Sequence, residues 1–163
     1  MKNSDVIRQK IYTLNELVHK LAQIRLSGSK VSFTNGVFDI LHTGHIASLS
    51  QAAAEADFLV VGVNSDASVK RLKGNERPLN HHDARALLLA SLIIVDAVII
   101  FEEDTPLEVI TALNPDVLVK GGDYTINEIA GAKEVMANGG RVVINEIVEG
   151  YSTTGLIEKI RRL

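Results

Sequence analysis

The 163 residues are 46 % hydrophobic and 23 % charged, the make-up of a soluble globular chain long enough to bury one sizeable core. A net charge of −3 at pH 7 gives no overall attraction to nucleic acid or an anionic membrane, and the absence of cysteine excludes disulfides and thiol chemistry. The N-terminus is polar, with Lys2, Asp5, Arg8 and Lys10, and no apolar run approaches the ~20 residues of a membrane span, so a cytoplasmic protein is expected.

In chain order, the first predicted element is a helix over residues 13–26. Thr13-x-x-Glu16 is a capping box, and Leu14, Leu17, Val18, Leu21 and Ile24 form an apolar stripe that Ser27-Gly28-Ser29 ends. Residues 1–29 therefore read as a helical extension ahead of a domain at 30–163. The stripe serves either packing on that domain, which is the simpler reading, or a homodimer contact. From residue 31 onward strands and helices alternate. Strands are predicted at 31–34, 58–63, 97–101, 117–120 and 142–148, and the run 58–63 is continuously apolar, as a strand covered on both faces requires. Helices are predicted at 46–56, 82–95, 105–113, from the Thr125-x-x-Glu128 capping box to Asn138, and at 153–162. The alternation argues an α/β fold, a doubly wound, Rossmann-like parallel sheet of five strands with right-handed crossovers.

The segment from Phe33 to His45 carries most of the chemistry. An apolar run ends at Thr34-Asn35-Gly36, and His42 and His45 follow around Gly44. A strand stopping near Asn35 and a helix starting near Thr43 would put both imidazoles where helix amides point at an anion. Two histidines and free N–H donors there suit the triphosphate of a nucleotide. A metal pair is the competing reading, but it needs a third protein ligand and there is no cysteine to offer one, so no metal site is predicted.

His42-Thr43-Gly44-His45 resembles the signature of the nucleotidyltransferases that carry a His-x-Gly-His motif. Asn64-Ser65-Asp66, the run Lys70 to Gly74 with Arg77-Pro78, Phe101 to Pro106, Lys120 to Tyr124, and Ser152-Thr153-Thr154 follow in order. Together they resemble the adenylyltransferase domain of the bifunctional heptose kinase/adenylyltransferases over roughly residues 30–163. The resemblance implies the nucleotidyltransferase superfamily's strand order 3-2-1-4-5. The loops after the first and fourth strands would then meet at the switch point, where open α/β sheets bind ligands.

It also implies residue roles. His42 and His45 bind phosphates and stabilise the transition state as catalytic groups, with Lys73 as a mobile loop cation reaching the β- and γ-phosphates; the alternative for Lys73 is a solvated basic turn. Thr34, Asn35, Gly36, Gly44, Lys120, Gly121, Asp123, Ser152, Thr153 and Thr154 would bind the nucleotide, with Asp123 on the ribose or a magnesium-bound water. Phe38 is expected to pack. Asp39 either orients His42 or caps the following turn. Asn64 and Asp66 either fix the basic loop or touch the sugar phosphate, Arg77 lies in that loop, and Arg85 either reaches a phosphate or pairs with an acid. Two departures matter. Ile147-Val148 replaces the Arg-Thr pair of glycerol-phosphate cytidylyltransferases, and no arginine lies near Ile157.

The implied activity joins ATP to a sugar 1-phosphate, by resemblance D-glycero-D-manno-heptose 1-phosphate, giving ADP-heptose and pyrophosphate for a surface glycan such as lipopolysaccharide. Mg²⁺ would arrive with the ATP. A cytidylyltransferase acting on a polyol phosphate such as glycerol 3-phosphate is the rival enzyme, and a non-catalytic nucleotide-binding regulatory domain the rival from another class. The resemblance further implies a homodimer and a separate sugar kinase in the pathway as partners, with no role for nucleic acid or membrane.

Overall fold

The computed structural model describes residues 5–122, 124–146 and 150–163. A short helix α1 (Asp5–Arg8) leads into strand β1 (Ile11–Tyr12) and helix α2 (Leu14–Leu26); β2 (Val31–Gly36), α3 (Thr43–Ala54) and β3 (Phe58–Asn64) follow. Next come α4 (Asp66–Lys73), α5 (His82–Ala90), β4 (Ala97–Phe101), α6 (Leu107–Leu113) and β5 (Val117–Gly121). A 3₁₀ turn (Ile126–Glu128), α7 (Ala132–Ala137), β6 (Arg141–Asn145) and α8 (Thr153–Arg161) complete the described chain.

The sheet has six strands in the order β1-β4-β3-β2-β5-β6, and every pairing is parallel. Leaving out β1, the order is the expected 3-2-1-4-5, so the correction to a five-stranded sheet is one added edge strand. Ile11 and Tyr12 pair with Val98 and Ile99, and the Lys10 ammonium donates to the carbonyls of Leu92 (3.2 Å) and Val95 (2.7 Å) to hold the strand in place. Two residues are too few to show an alternating pattern, which is why the strand is invisible in the sequence.

Helices cover both faces. On one side Leu17 and Leu21 of α2, both fully buried, share a core with Phe33, Val60, Ile99 and Ile110. Burying each such leucine is worth roughly 1.5–3 kcal/mol. On the other side Leu49 of α3 and Leu89 of α5 pack with Val61, Val63, Val98 and Val119. The Thr13 capping box forms as expected: Glu16 N–H donates to Thr13 Oγ1, and Thr13 N–H donates to the Glu16 carboxylate.

Predicted boundaries shift by a few residues elsewhere, as in α3 (Thr43–Ala54) and α6 (Leu107–Leu113), and three elements change for a local reason. Residues 66–73 are helical rather than a loop, because Ser65 Oγ accepts from Ser68 N–H to cap the start and Gly74, at φ +91°, ends the helix. Helix α5 stops at Ala90, short of the predicted residue 95, and a turn leads into β4. The helix predicted from Thr125 is a single 3₁₀ turn, since Gly131 takes φ +85° and restarts the chain as α7. The last strand ends at Asn145; residues 147 and 148 of its predicted range lie outside the described residues.

Candidate active site

The loop after β2 turns sharply at Phe38, which has φ +50°. Its ring lies over Gly36, where a Cβ would come within 3.0 Å of Phe38 Cε2, and its edge meets His45 with centroids 5.3 Å apart. Phe38 is thus the packing residue expected of it. His42 is the N-cap of α3, its Nδ1 accepting from His45 N–H at 3.4 Å. The two imidazoles stack, with centroids 3.8 Å apart and planes 22° apart. Gly44 makes the stack possible, because a Cβ there would lie 3.0 Å from His42 Nδ1.

Stacked imidazoles cannot readily both be cations. Burial lowers the His42 pKa. Burial first, then the charges of His42 and Lys73, push His45 down from 6.5 to about 4. The Ile40 carbonyl pulls the other way, but makes no well-formed hydrogen bond with the buried Nδ1. Burial thus favours the neutral form of both rings at the head of α3, and a bound anion there would favour a proton.

Three adjoining cavities open along the C-terminal ends of the strands. One of about 170 Å³ holds His42, Gly44, His45, Gly121, Glu146 and Tyr151. A second, of about 210 Å³, is lined by Thr34, Gly36, His45, Ser48, Lys120 and Gly121 among others. The third, about 360 Å³, takes in Asn64, Lys73, Asp104, Lys120, Tyr124 and Glu128. His45, Ser48 and Gly121 line the first and second cavities; Asn35, Gly36 and Lys120 line the second and third. The motifs after β2 and β5 converge because these strands are neighbours. Thr34, Asn35, Gly36, Gly44, Lys73, Lys120, Gly121 and Asn64 all face this crevice. Lys73 does so from the last turn of α4 rather than from a loop. Asp123 lies outside the described residues. Ser152 caps α8, its Oγ accepting from Gly155 N–H at 3.0 Å; of that region the neighbouring Tyr151, not Ser152, Thr153 or Thr154, lines a cavity named here.

The remaining predicted residues form a strut behind the crevice. Asp39 bonds to neither His42 nor the turn that follows it. Its side chain is 1 % exposed and accepts from Arg77 Nε at 2.7 Å and from the N–H groups of Leu79 and Asn80 at 2.9 Å. Burial alone would raise the Asp39 pKa; the two amides and the guanidinium outweigh it and hold the carboxyl below its ordinary value. Arg85, fully buried, donates to the Asn80 carbonyl (2.9 Å), the Val37 carbonyl (2.7 Å) and the Asp66 carboxylate (2.7 Å). His81 also pairs with Asp66, at 2.9 Å. Asn64 donates to Ser68 Oγ at 3.0 Å. These residues tie the loop after β2, the segment 77–81 and the start of α4 into one unit.

Ser48, Glu146, Tyr151, Tyr124 and Glu128 were not among the predicted site residues. Nothing about Ser48 or Glu146 in the sequence distinguishes them from surface positions, whereas Tyr124 and Glu128 adjoin recognisable signals, the Lys-Gly-Gly-Asp turn and a capping box. Among the described residues, no three histidine, aspartate or glutamate side chains gather to hold a metal ion, and no helix is long and apolar enough to cross a membrane.

Comparison with known proteins gives the same picture. The cytidylyltransferase-like family model matches residues 33–159. Bifunctional protein HldE from Hyphomonas neptunium is 54 % identical over 152 residues, 93 % of this chain and 31 % of that protein. The HldE protein of Paramagnetospirillum magneticum is 58 % identical over 136 residues, 83 % of this chain and 28 % of that one. The chain thus spans about a third of the length of these curated relatives. Among solved structures, a lipopolysaccharide core biosynthesis protein from Thermoplasma volcanium GSS1 is similar at TM-score 0.60 and 30 % identity, covering 76 % of this chain and 99 % of that one. A pantoate-beta-alanine ligase from Francisella tularensis, at TM-score 0.54 and 14 % identity, shares the fold. With the stacked histidines at the head of α3 and the glycine turn at the switch point, these matches lead to one assignment: the chain belongs to the cytidylyltransferase-like family of nucleotidyltransferases.

Proposed function

We propose that the protein transfers AMP from ATP to a sugar 1-phosphate, D-glycero-D-manno-heptose 1-phosphate, giving ADP-heptose and pyrophosphate. The observation that carries this reading is the stacked His42–His45 pair at the N-terminus of α3, where His45 lines the cavities on both sides. An oxygen of the sugar phosphate attacks the α-phosphorus, a new P–O–P linkage forms, and pyrophosphate leaves with the electrons of the broken bond. No side chain needs to be a nucleophile. The protein aligns two anions and neutralises charge as it builds.

The nucleotide occupies the cavities containing Gly121, Glu146 and Tyr151, with its phosphates over His42, His45 and the α3 amides. The sugar enters the third cavity past Asp104, Tyr124 and Glu128, and Lys73, an exposed cation lining the same cavity, adds positive charge for the phosphates gathered there. Since no acidic cluster is present among the described residues to cage a metal, Mg²⁺ belongs with the triphosphate and supplies charge neutralisation there. The lipopolysaccharide core biosynthesis protein from Thermoplasma supports the surface-glycan context, and a cytoplasmic enzyme working beside a sugar kinase is part of the same proposal.

The test is pyrophosphate release with ATP or CTP, Mg²⁺ and a panel of sugar 1-phosphates and glycerol 3-phosphate. Turnover confined to ATP and the heptose phosphate is expected. Turnover with CTP and a polyol phosphate would replace the reading with the cytidylyltransferase one, and nucleotide binding without turnover would leave a regulatory domain.

A further inference from the structure

Among the described residues Lys120, the fourth residue of β5, is the one lysine that lines both the cavity over His45 and the larger cavity beyond it. We propose that its ammonium is a catalytic cation of the transfer, holding the acceptor's phosphate against the α-phosphorus; this rests on the function proposed above.

Three observations carry it. The first is place. The acceptor phosphate and the α-phosphate must meet at the junction of the two cavities, and Lys120 and Asn35 line that junction from neighbouring strands. The second is restraint. Lys120 Nζ donates to Asn35 Oδ1 at 3.2 Å and lies 5.6 Å from the centroid of the Tyr124 ring, so the head group is held on two sides by groups that leave its charge intact. The third is that, among the described residues, no carboxylate pairs with it. Lys30, Arg71, Arg77, Arg85 and Arg141 each have an acidic partner. Burial lowers the Lys120 pKa, the signature of a cation short of solvation that an incoming phosphate would restore.

Lys120 thus differs in role from Lys73, which is exposed on α4 and lines only the outer cavity. Two phosphates approaching bonding distance repel each other. A fixed, partly desolvated ammonium between them offsets the repulsion at the moment the new P–O bond forms and the α–β bridge breaks.

The experiment uses Lys120→Met and Lys120→Arg, with three readouts on the full chain: steady-state kinetics, affinity for α,β-methylene ATP, and NMR of the lysine Cε groups. Lys120→Met should lose at least ~10² in kcat/KM for the sugar phosphate while its affinity for α,β-methylene ATP changes less than about threefold, and Lys120→Arg should recover part of the loss. In the wild type, adding mannose 1-phosphate to the complex with α,β-methylene ATP should move the Lys120 Cε resonance. Asn35→Asp, which places a carboxylate beside an intact Lys120, should show the same kinetic loss if Lys120→Met fails to fold. A change in kcat/KM below about threefold, a loss carried wholly by weaker nucleotide binding, or an unmoved Lys120 resonance would overturn the proposal. Absence of wild-type turnover with any substrate pair would sink the function proposal and this one with it, whereas turnover with an unmoved Lys120 resonance would overturn this one alone.

Discussion

Arg85 is the side chain whose removal should cost most. It is fully buried and feeds three acceptors from three segments: the Val37 carbonyl, the Asn80 carbonyl and the Asp66 carboxylate. Replacing it with methionine keeps much of the volume but strands all three. Breaking a buried ion pair from one side typically costs about 3–5 kcal/mol. Each deserted carbonyl adds about 1–3 kcal/mol before relaxation. Asp66 keeps His81 and is itself partly exposed, which discounts the charge part, so a net loss of about 4 kcal/mol is expected. For a domain of this size that is a fall in Tm of roughly 8–16 °C. Lysine at position 85 should restore less than half, since a single ammonium cannot span three acceptors in the fork geometry of guanidinium. Urea denaturation at pH 7 measures the difference, and an unchanged m-value would place it in the folded state. A loss below about 1 kcal/mol for Arg85→Met would refute the view that this residue ties the loops together.

His45 makes folding and nucleotide binding pH-dependent. With a pKa of about 4 in the folded chain against 6.5 ordinarily, the folded state binds fewer protons than the unfolded one between those values, so its stability contribution is complete above 6.5 and shrinks as pH falls toward 4. A bound triphosphate favours the protonated ring, so calorimetry near pH 6 in two buffers of different ionisation enthalpy should reveal proton uptake on ATP binding that His45→Asn abolishes; equal heats would contradict the assignment. Gly131→Ala should destabilise by about 1–3 kcal/mol, since the residue has φ +85° and a Cβ would lie 2.7 Å from Ile110 Cγ2; a melting curve matching the wild type would refute it.

The strand ends and the histidine pair were legible because they rest on local signals. A continuous apolar run, a glycine at its end and histidines three apart say where a strand stops and an anion-binding helix begins. Helix α4 was not legible. Only Ser68 and Val69 are buried in it, so its sequence has no apolar stripe, and its start and stop depend on Ser65 and Gly74. The strut was half legible: Asp39, Asp66, Arg77 and Arg85 stood out as charged residues near motifs. Their pairing needs the tertiary approach of segments 38 residues apart for Asp39–Arg77 and 19 apart for Asp66–Arg85, which no short-range pattern reports. Lys120 shows the same limit, since its position between two cavities follows from the neighbouring of β2 and β5 and not from the residues beside it.

The edge strand β1 bears on how the protein can be handled. Because the sheet is wholly parallel, Ile11 enters at the end opposite the crevice, and Lys10 is anchored to carbonyls just ahead of β4. A tag, fluorophore or tethering surface attached ahead of α1 would leave the substrate entrance clear. At the other terminus, Ser152 begins the last helix one residue after Tyr151, which lines the entrance.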